Sequence, residues 1–168
     1  RMHPGVVAQA SATIDRLTKS TFHLGVGTGE NMNEGPLGYS FPKYDERASR
    51  MKEALIIIRR LLNGEKLDYE GEFYSTYGAK LYSPPLKDVP IWLAAGGPKS
   101  SNLAAEYADG LMISVKNPED AYERVINPAK IKTDELGKSK LRVHTYRWTM
   151  FAENDEDAWE SLKSWRGL

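Results

Sequence analysis

Cysteine is absent from all 168 residues, which excludes disulfides, thiolate metal sites and a cysteine nucleophile and matches the residue usage of a cytoplasmic protein. Net charge is absent too. The 23 basic and 23 acidic side chains cancel, and no cluster of five basic residues occurs, so there is no electrostatic footprint for a nucleic-acid backbone. Long apolar runs are missing as well. The longest, such as residues 54–58, reach about five residues against the roughly 18 to 20 that cross a bilayer, and no signal-peptide pattern opens the chain. A membrane partner is not expected. Histidine is scarce: His3, His23 and His144 are too scattered to form a metal site by spacing. Each reads as a polar residue at an element end or on a strand face.

What is there is a 40% hydrophobic chain, large enough to bury a core. From Pro4, suited to a first helical position, Val7, Ala10, Ile14 and Leu17 keep a three-four spacing that predicts a helix to about Lys19. Residues 22–27 (FHLGVG) predict a buried strand. Tyr44, Ala48, Met51, Leu55, Ile58 and Leu62 form a helical stripe closed by Asn63-Gly64. Residues 66–82 alternate around Glu70-Gly71 and predict a hairpin outside the main sheet, closed by Pro84-Pro85. A second strand is expected within residues 89–97 (VPIWLAAGG), followed by a helix carrying Leu103, Ala104 and Tyr107. A third, over 109–114, leads to a helix from about Glu119 that breaks near Pro128 and resumes to Gly137. A fourth, over 141–152, precedes a helix with Asp155 and Glu156 in its first turn and Ala158, Trp159 and Leu162 on its apolar face.

Strands alternating with helices predict parallel pairing through right-handed crossovers, hence an α/β fold. A leading helix and four strand-helix units amount to half of an eight-fold barrel or most of a small open sheet. The chain opens on a helix, and Arg1 precedes Met2. Both features favour an incomplete barrel whose start lies upstream, with residues 1–168 as a single partial domain.

Ligands of parallel α/β proteins collect at the carboxyl ends of the strands, where loop and helix-start amides are unpaired. Three loops there hold useful residues. The first, residues 28–34 (TGENMNE), offers glycine amides, amide side chains and the acid Glu30. A carboxylate in a partly apolar mouth has its pKa raised towards neutrality and can handle a proton. Against this stands the alternative that Glu30 and Glu34 merely cap or flank the next helix. The second, residues 94–101 (AAGGPKSS), has the make-up of a phosphate cradle. Gly96 and Gly97 admit a ligand to the backbone, the helix start supplies amides and dipole, and Lys99, Ser100 and Ser101 add donors. It lacks the spacing of a P-loop or a dinucleotide fingerprint, and the alternative is a tight strand-to-helix turn. In the third, Ser114 and Lys116 follow a strand, where Lys116 either holds an anionic substrate as a point charge or is simply solvated.

Four segments carry a family resemblance: HPGVVAQASATIDRL, FHLGVGTGENMNE, the helix and hairpin start YDERASRMKEALIIIRRLLNGEKLDYEGEFY, and VPIWLAAGGP followed by AAEYADGLM. Together they resemble the luciferase-like flavin and deazaflavin oxidoreductase superfamily, and within it the coenzyme F420-dependent glucose-6-phosphate dehydrogenase group. The similarity runs from His3 to about Trp165; GTGExxNE and AAGGP are specific as a set and weak singly. The resemblance implies a (β/α)8 TIM barrel of which this chain covers about half, usually a homodimer, with the deazaflavin across the carboxyl-end mouth. It implies that Thr28, Gly29 and Asn33 contact the cofactor, that Glu30 is the acid/base beside its ring, and that Gly96, Gly97, Lys99 and Ser100 line the site of its phosphate-bearing tail. Lys116, with Ser114 beside it, falls where the sugar-phosphate enzymes grip the substrate phosphate, allowing one residue of gap on each side. The family's histidine for the substrate hydroxyl, with its aspartate neighbour, falls upstream of Arg1, and further phosphate-binding basic residues fall downstream of Leu168.

The activity so implied is hydride transfer between a small-molecule sugar phosphate or alcohol and F420. Two other readings stay open: an FMN-dependent monooxygenase on the same fold, and a non-catalytic half barrel. In the last, open edges and an apolar interior would drive the chain to dimerise, recruit the missing half or aggregate.

Overall fold

A computed structural model describes residues 2–139, 141–147, 149 and 151–163. Helix α1 (Pro4–Leu17) begins where the Nδ1 atom of His3 accepts the Gly5 N–H at 3.1 Å. After strand β1 (Leu24–Val26) come the short helix α2 (Asn31–Glu34), a 3-10 turn (Gly35–Leu37) and the long helix α3 (Tyr44–Leu62). Strands β2 (Leu67–Glu70) and β3 (Ser75–Ala79) form an antiparallel hairpin apart from the main sheet, as the alternation predicts. Then follow β4 (Ile91–Ala94), α4 (Pro98–Tyr107), β5 (Gly110–Ser114) and α5 (Pro118–Ala121). A π turn (Tyr122–Ile126), α6 (Asn127–Glu135), β6 (Arg142–Tyr146) and α7 (Asp155–Lys163) complete the order.

Helix α3 occupies the residues its apolar stripe predicts. It buries Leu55, Ile58 and Leu62, carries Asp45 and Glu46 in its first turn and Arg59 and Arg60 in its last, matching the helix dipole at both ends. Gly64, at φ +80°, turns the chain out of the helix and returns its N–H to the Leu61 carbonyl. The stretch around Pro128 differs from expectation: the helix runs on through it without a break. The Asn127 N–H reaches back five residues to the Tyr122 carbonyl, and this wider turn makes room for a ring that cannot donate a hydrogen bond. The sheet strands are shorter than the apolar segments suggest. Strand β6 ends at Tyr146, and Trp148 and Met150, within the expected fourth strand, lie outside the described residues.

The four sheet strands are all parallel, in the spatial order β1-β4-β5-β6. Their order in space follows their order in the chain. A doubly wound sheet reverses at a switch point, whereas a barrel keeps winding in one direction, so this topology is that of barrel units. Successive side chains point to opposite faces. Leu24, Ile91, Leu93, Leu111 and Ile113 face the helices and join Ala8, Leu55, Leu61, Ala104 and Ala129 in one core. The other face, which would line a barrel axis, presents Gly25, Ala94, Ser114 and His144 to solvent. Among the described residues no helix is long and apolar enough to cross a membrane.

Asp15 shows how the first helix is fastened. Its carboxylate is fully buried, and Oδ2 accepts the N–H groups of Leu86 at 2.7 Å and Lys87 at 3.1 Å. Burial is the largest single influence and acts to raise the pKa, but the two backbone donors and the Lys87 ammonium together outweigh it and hold the group below its ordinary value of 3.8. A carboxyl lower in the folded than in the unfolded chain stabilises the fold above the unfolded pKa, and that contribution is lost as pH falls through the folded one. The urea midpoint is therefore expected to drop as pH falls below 3.8. Asp15→Asn should lower the midpoint at neutral pH and flatten this acid dependence, which denaturation curves across pH would check.

Candidate active site

Strands β1 and β4 are parallel neighbours with Val26 opposite Leu93, so the loops that leave their carboxyl ends emerge side by side. Residues 27–34 and 95–101 therefore meet at one end of the sheet. A Cβ placed on Gly27 would lie 3.5 Å from Ala94 Cβ, and one on Gly25 would lie 3.5 Å from Met112 Sδ. The floor beneath the two loops is kept low by small residues. Gly29 takes φ +91°, and a side chain there would run into the Glu34 carboxylate, 2.1 Å from its Cβ position. Only glycine suits that turn.

Glu30 sits at the N-cap position of α2 with an exposed side chain. Its backbone carbonyl accepts the N–H groups of Asn33 and Glu34, while its side chain caps nothing. The capping alternative thus holds for the main chain of Glu30 only. Its carboxylate instead accepts a hydrogen bond from Asn33 Nδ2 at 3.2 Å, which brings together two residues singled out in the sequence. The partly apolar mouth expected around Glu30 is not built by the described residues.

In the second loop the serine hydroxyls turn inward. Ser100 is buried; its Oγ accepts the N–H groups of Gly96 (3.1 Å) and Gly97 (3.2 Å) and donates to the Gly97 carbonyl (2.9 Å). Ser101 Oγ donates to the same carbonyl at 2.8 Å. These bonds set the shape of the loop, so the two glycine amides are not the free donors that the sequence suggests. Space is nevertheless open at the glycines, since a Cβ on Gly96 or Gly97 would meet nothing within 4 Å. Lys99 is exposed and pairs with Asp45 at 2.6 Å, and that carboxylate raises its pKa. The neighbouring Tyr44 has a buried hydroxyl with no hydrogen-bond partner among the described residues. Burial raises its pKa, partly offset by the nearby Ser100 hydroxyl and the charges of Arg47 and Lys99.

Ser114 ends β5 at the same end of the sheet, next to β4 on the side away from β1, and both it and Lys116 are exposed. The three loops thus share one rim, with Glu30 and Lys116 on either side of the Gly96-Gly97 turn. Open room above two glycine turns, a low floor and the exposed Glu30 carboxylate on the rim suit a flat polycyclic ligand. Among the described residues no group of three or more His, Asp or Glu is placed to hold a metal ion.

Arg47, on the second turn of α3, escaped the sequence reading. Its Nη1 donates to Thr28 O (3.2 Å), Thr28 Oγ1 (3.2 Å) and Gly29 O (3.3 Å), its Nε donates to Pro42 O (3.1 Å), and its guanidinium lies 4.1 Å from the Phe41 ring centroid. No spacing rule marks an arginine on the polar side of a helix as the partner of a loop far back in the chain. All three histidines match their expected structural placement. His3 caps α1, and His23 and His144 flank Trp92 on the open face of the sheet.

A family model described as luciferase-like monooxygenase matches residues 1–168. An F420-dependent glucose-6-phosphate dehydrogenase from Nakamurella multipartita is 42% identical over 173 aligned positions, covering 100% of this chain and 50% of the relative. One from Microbacterium testaceum is 40% identical, covering 86% and 44% respectively. Among solved structures, an F420-dependent secondary alcohol dehydrogenase holding an F420-acetone adduct superposes with a TM-score of 0.91 at 29% identity, over 99% of this chain and 52% of that one. An F420-dependent tetrahydromethanopterin reductase from Methanopyrus kandleri gives 0.78 at 25% identity, over 93% and 49%. The chain spans about half the length of the curated relatives it matches.

Proposed function

The chain belongs to the luciferase-like monooxygenase family, and on that premise we propose that it is half of a (β/α)8 barrel that binds coenzyme F420 and transfers a hydride between it and an alcohol or sugar phosphate. The observation that carries this reading is the meeting of two glycine turns at the carboxyl ends of adjacent parallel strands, with Glu30 on the rim of one of them. The likeness to dehydrogenases and a reductase that use F420 supports the choice of cofactor. The same reading takes the whole protein as a cytoplasmic homodimer.

F420, when bound, supplies a carbon that accepts or gives up a hydride as a two-electron unit. The chain's own residues do the rest. Thr28 and Gly29 present backbone to the ring, and Asn33 touches the cofactor while its hydrogen bond orients the Glu30 carboxylate. Glu30 takes up or releases the proton that balances the charge left by the hydride. Ser100 holds Gly96 and Gly97 in an open turn that leaves room for the anionic tail, and Lys99 lends it positive charge. Lys116, with Ser114 beside it, holds the substrate phosphate as a point charge.

Thermal unfolding of the whole protein with each cofactor tests the reading. F420 at 100 times its Kd is expected to stabilise by about 2.7 kcal/mol, with FMN giving no shift. F420 reduction should then follow addition of glucose 6-phosphate or a secondary alcohol, and the faster of the two identifies the substrate class. Stabilisation by FMN alone would transfer the site to a flavin monooxygenase. A shift with neither cofactor would leave the non-catalytic half barrel.

A further inference from the structure

We propose that Arg47 is the positioning residue for Glu30: a single guanidinium clasps both ends of the loop that carries the acid/base. The inference rests on the role given to Glu30 above and adds what holds that group in place. Residues 28–42 leave the body of the protein at Thr28 and return at Pro42, and none of them is buried. Met32, Leu37 and Tyr39 are all largely solvent-exposed, so no apolar contact anchors the tip. The hydrogen bonds of α2 and the 3-10 turn close within the loop itself: Asn33 and Glu34 to the Glu30 carbonyl, Tyr39 to the Glu34 carbonyl, and Gly38 to the Gly35 carbonyl.

Among the described residues, the hydrogen bonds that tie this loop to the rest of the chain all come from Arg47. Nη1 holds the start of the loop, at the two residues immediately before Glu30, and Nε holds its end at Pro42. Both grips require the planar fork of a guanidinium, because an ammonium is one point charge and cannot reach both ends at once. By occupying the carbonyls of Thr28 and Gly29 it also fixes the orientation of those peptide units, and hence the direction in which Glu30 leaves the turn. Releasing the clasp frees a loop held by little else, and a displacement of about 1 Å at a reacting group costs on the order of 10²-fold in rate.

The test uses the whole protein with Arg47→Met and Arg47→Lys. Both are expected to lower kcat by about 10- to 100-fold, and Lys should fail to restore the rate. In a Glu30→Gln background the Arg47→Met change should cost almost nothing further, because both act through one group. Amide hydrogen exchange over residues 30–40 should speed up in both variants while the global urea midpoint stays close to that of the parent. Unchanged kcat, full rescue by lysine, or an undiminished additional loss in the Glu30→Gln background would overturn the positioning role. Unchanged exchange would overturn the clasp itself. A parent protein that turns over no F420 substrate but shows the exchange change would sink the functional reading, and the positioning role with it, while leaving the clasp standing.

Discussion

Glu30→Gln in the whole protein is expected to lower kcat by about 10²- to 10⁴-fold, the usual worth of a positioned general acid or base. The amide keeps the size of the side chain and can still bond to Asn33, so the loop should keep its shape. What it loses is the ability to bind and release a proton in step with hydride transfer. The expected signature is therefore a fall in kcat and in kcat/KM together, with F420 affinity nearly unchanged, and loss of the pH limb that Glu30 imposes on the parent enzyme. Steady-state kinetics across pH with a fluorescence titration of F420 would check both parts. An unchanged rate and pH profile would remove Glu30 from the chemistry and leave it as the N-cap residue of α2.

The second large effect is on stability. Trp92 belongs to the open face of the sheet yet is only 2% exposed. Its ring crosses β5 over Gly110, where a Cβ would lie 2.3 Å from the indole, and stacks on His144 of β6 with centroids 3.6 Å apart. Its Nε1 donates to His23 Nδ1 at 2.7 Å, beside the start of β1, so one side chain links three strands of the sheet to the chain leading into a fourth. Trp92→Ala removes the stacking and the hydrogen bond to His23 and leaves a buried void, and is expected to cost about 3 to 5 kcal/mol. Trp92→Phe keeps an aromatic ring over Gly110 but loses the donor, so its cost should be nearer 1 kcal/mol. Urea denaturation of the whole protein would measure both. A loss under 1 kcal/mol for the alanine variant would mean that the helix-side core alone holds the sheet together.

Local pattern made much of the fold legible. The stripe from Tyr44 to Leu62 predicts α3 over the residues it occupies, and the alternation around Glu70-Gly71 predicts a hairpin that pairs as β2 and β3. These elements are decided by residues a few positions apart, where the helical and strand periods act. The Pro128 region misleads for a related reason. Proline forbids a regular helix but tolerates a wider turn before it, and the choice between a break and a bulge depends on packing against α4.

At the site, residue types were legible and their working partners were not. Asn33 next to Glu30 follows from a three-residue spacing at a helix start. Arg47 does not, since it reaches Thr28 across an intervening loop and helix turn. The inward roll of Ser100, which takes up the Gly96 and Gly97 amides, depends on backbone torsions that composition does not encode.

By itself the sequence determined the alternation of strands and helices, the family, and the glycine and acid composition of the rim loops, because all of these rest on short-range periodicity or on quoted motifs. Only the tertiary structure decided that the sheet winds in one direction, that the glycine turns lie side by side, and that one guanidinium closes the Glu30 loop. Those outcomes depend on pairing between strands far apart in the chain, where register and side-chain reach, rather than local spacing, determine which groups meet.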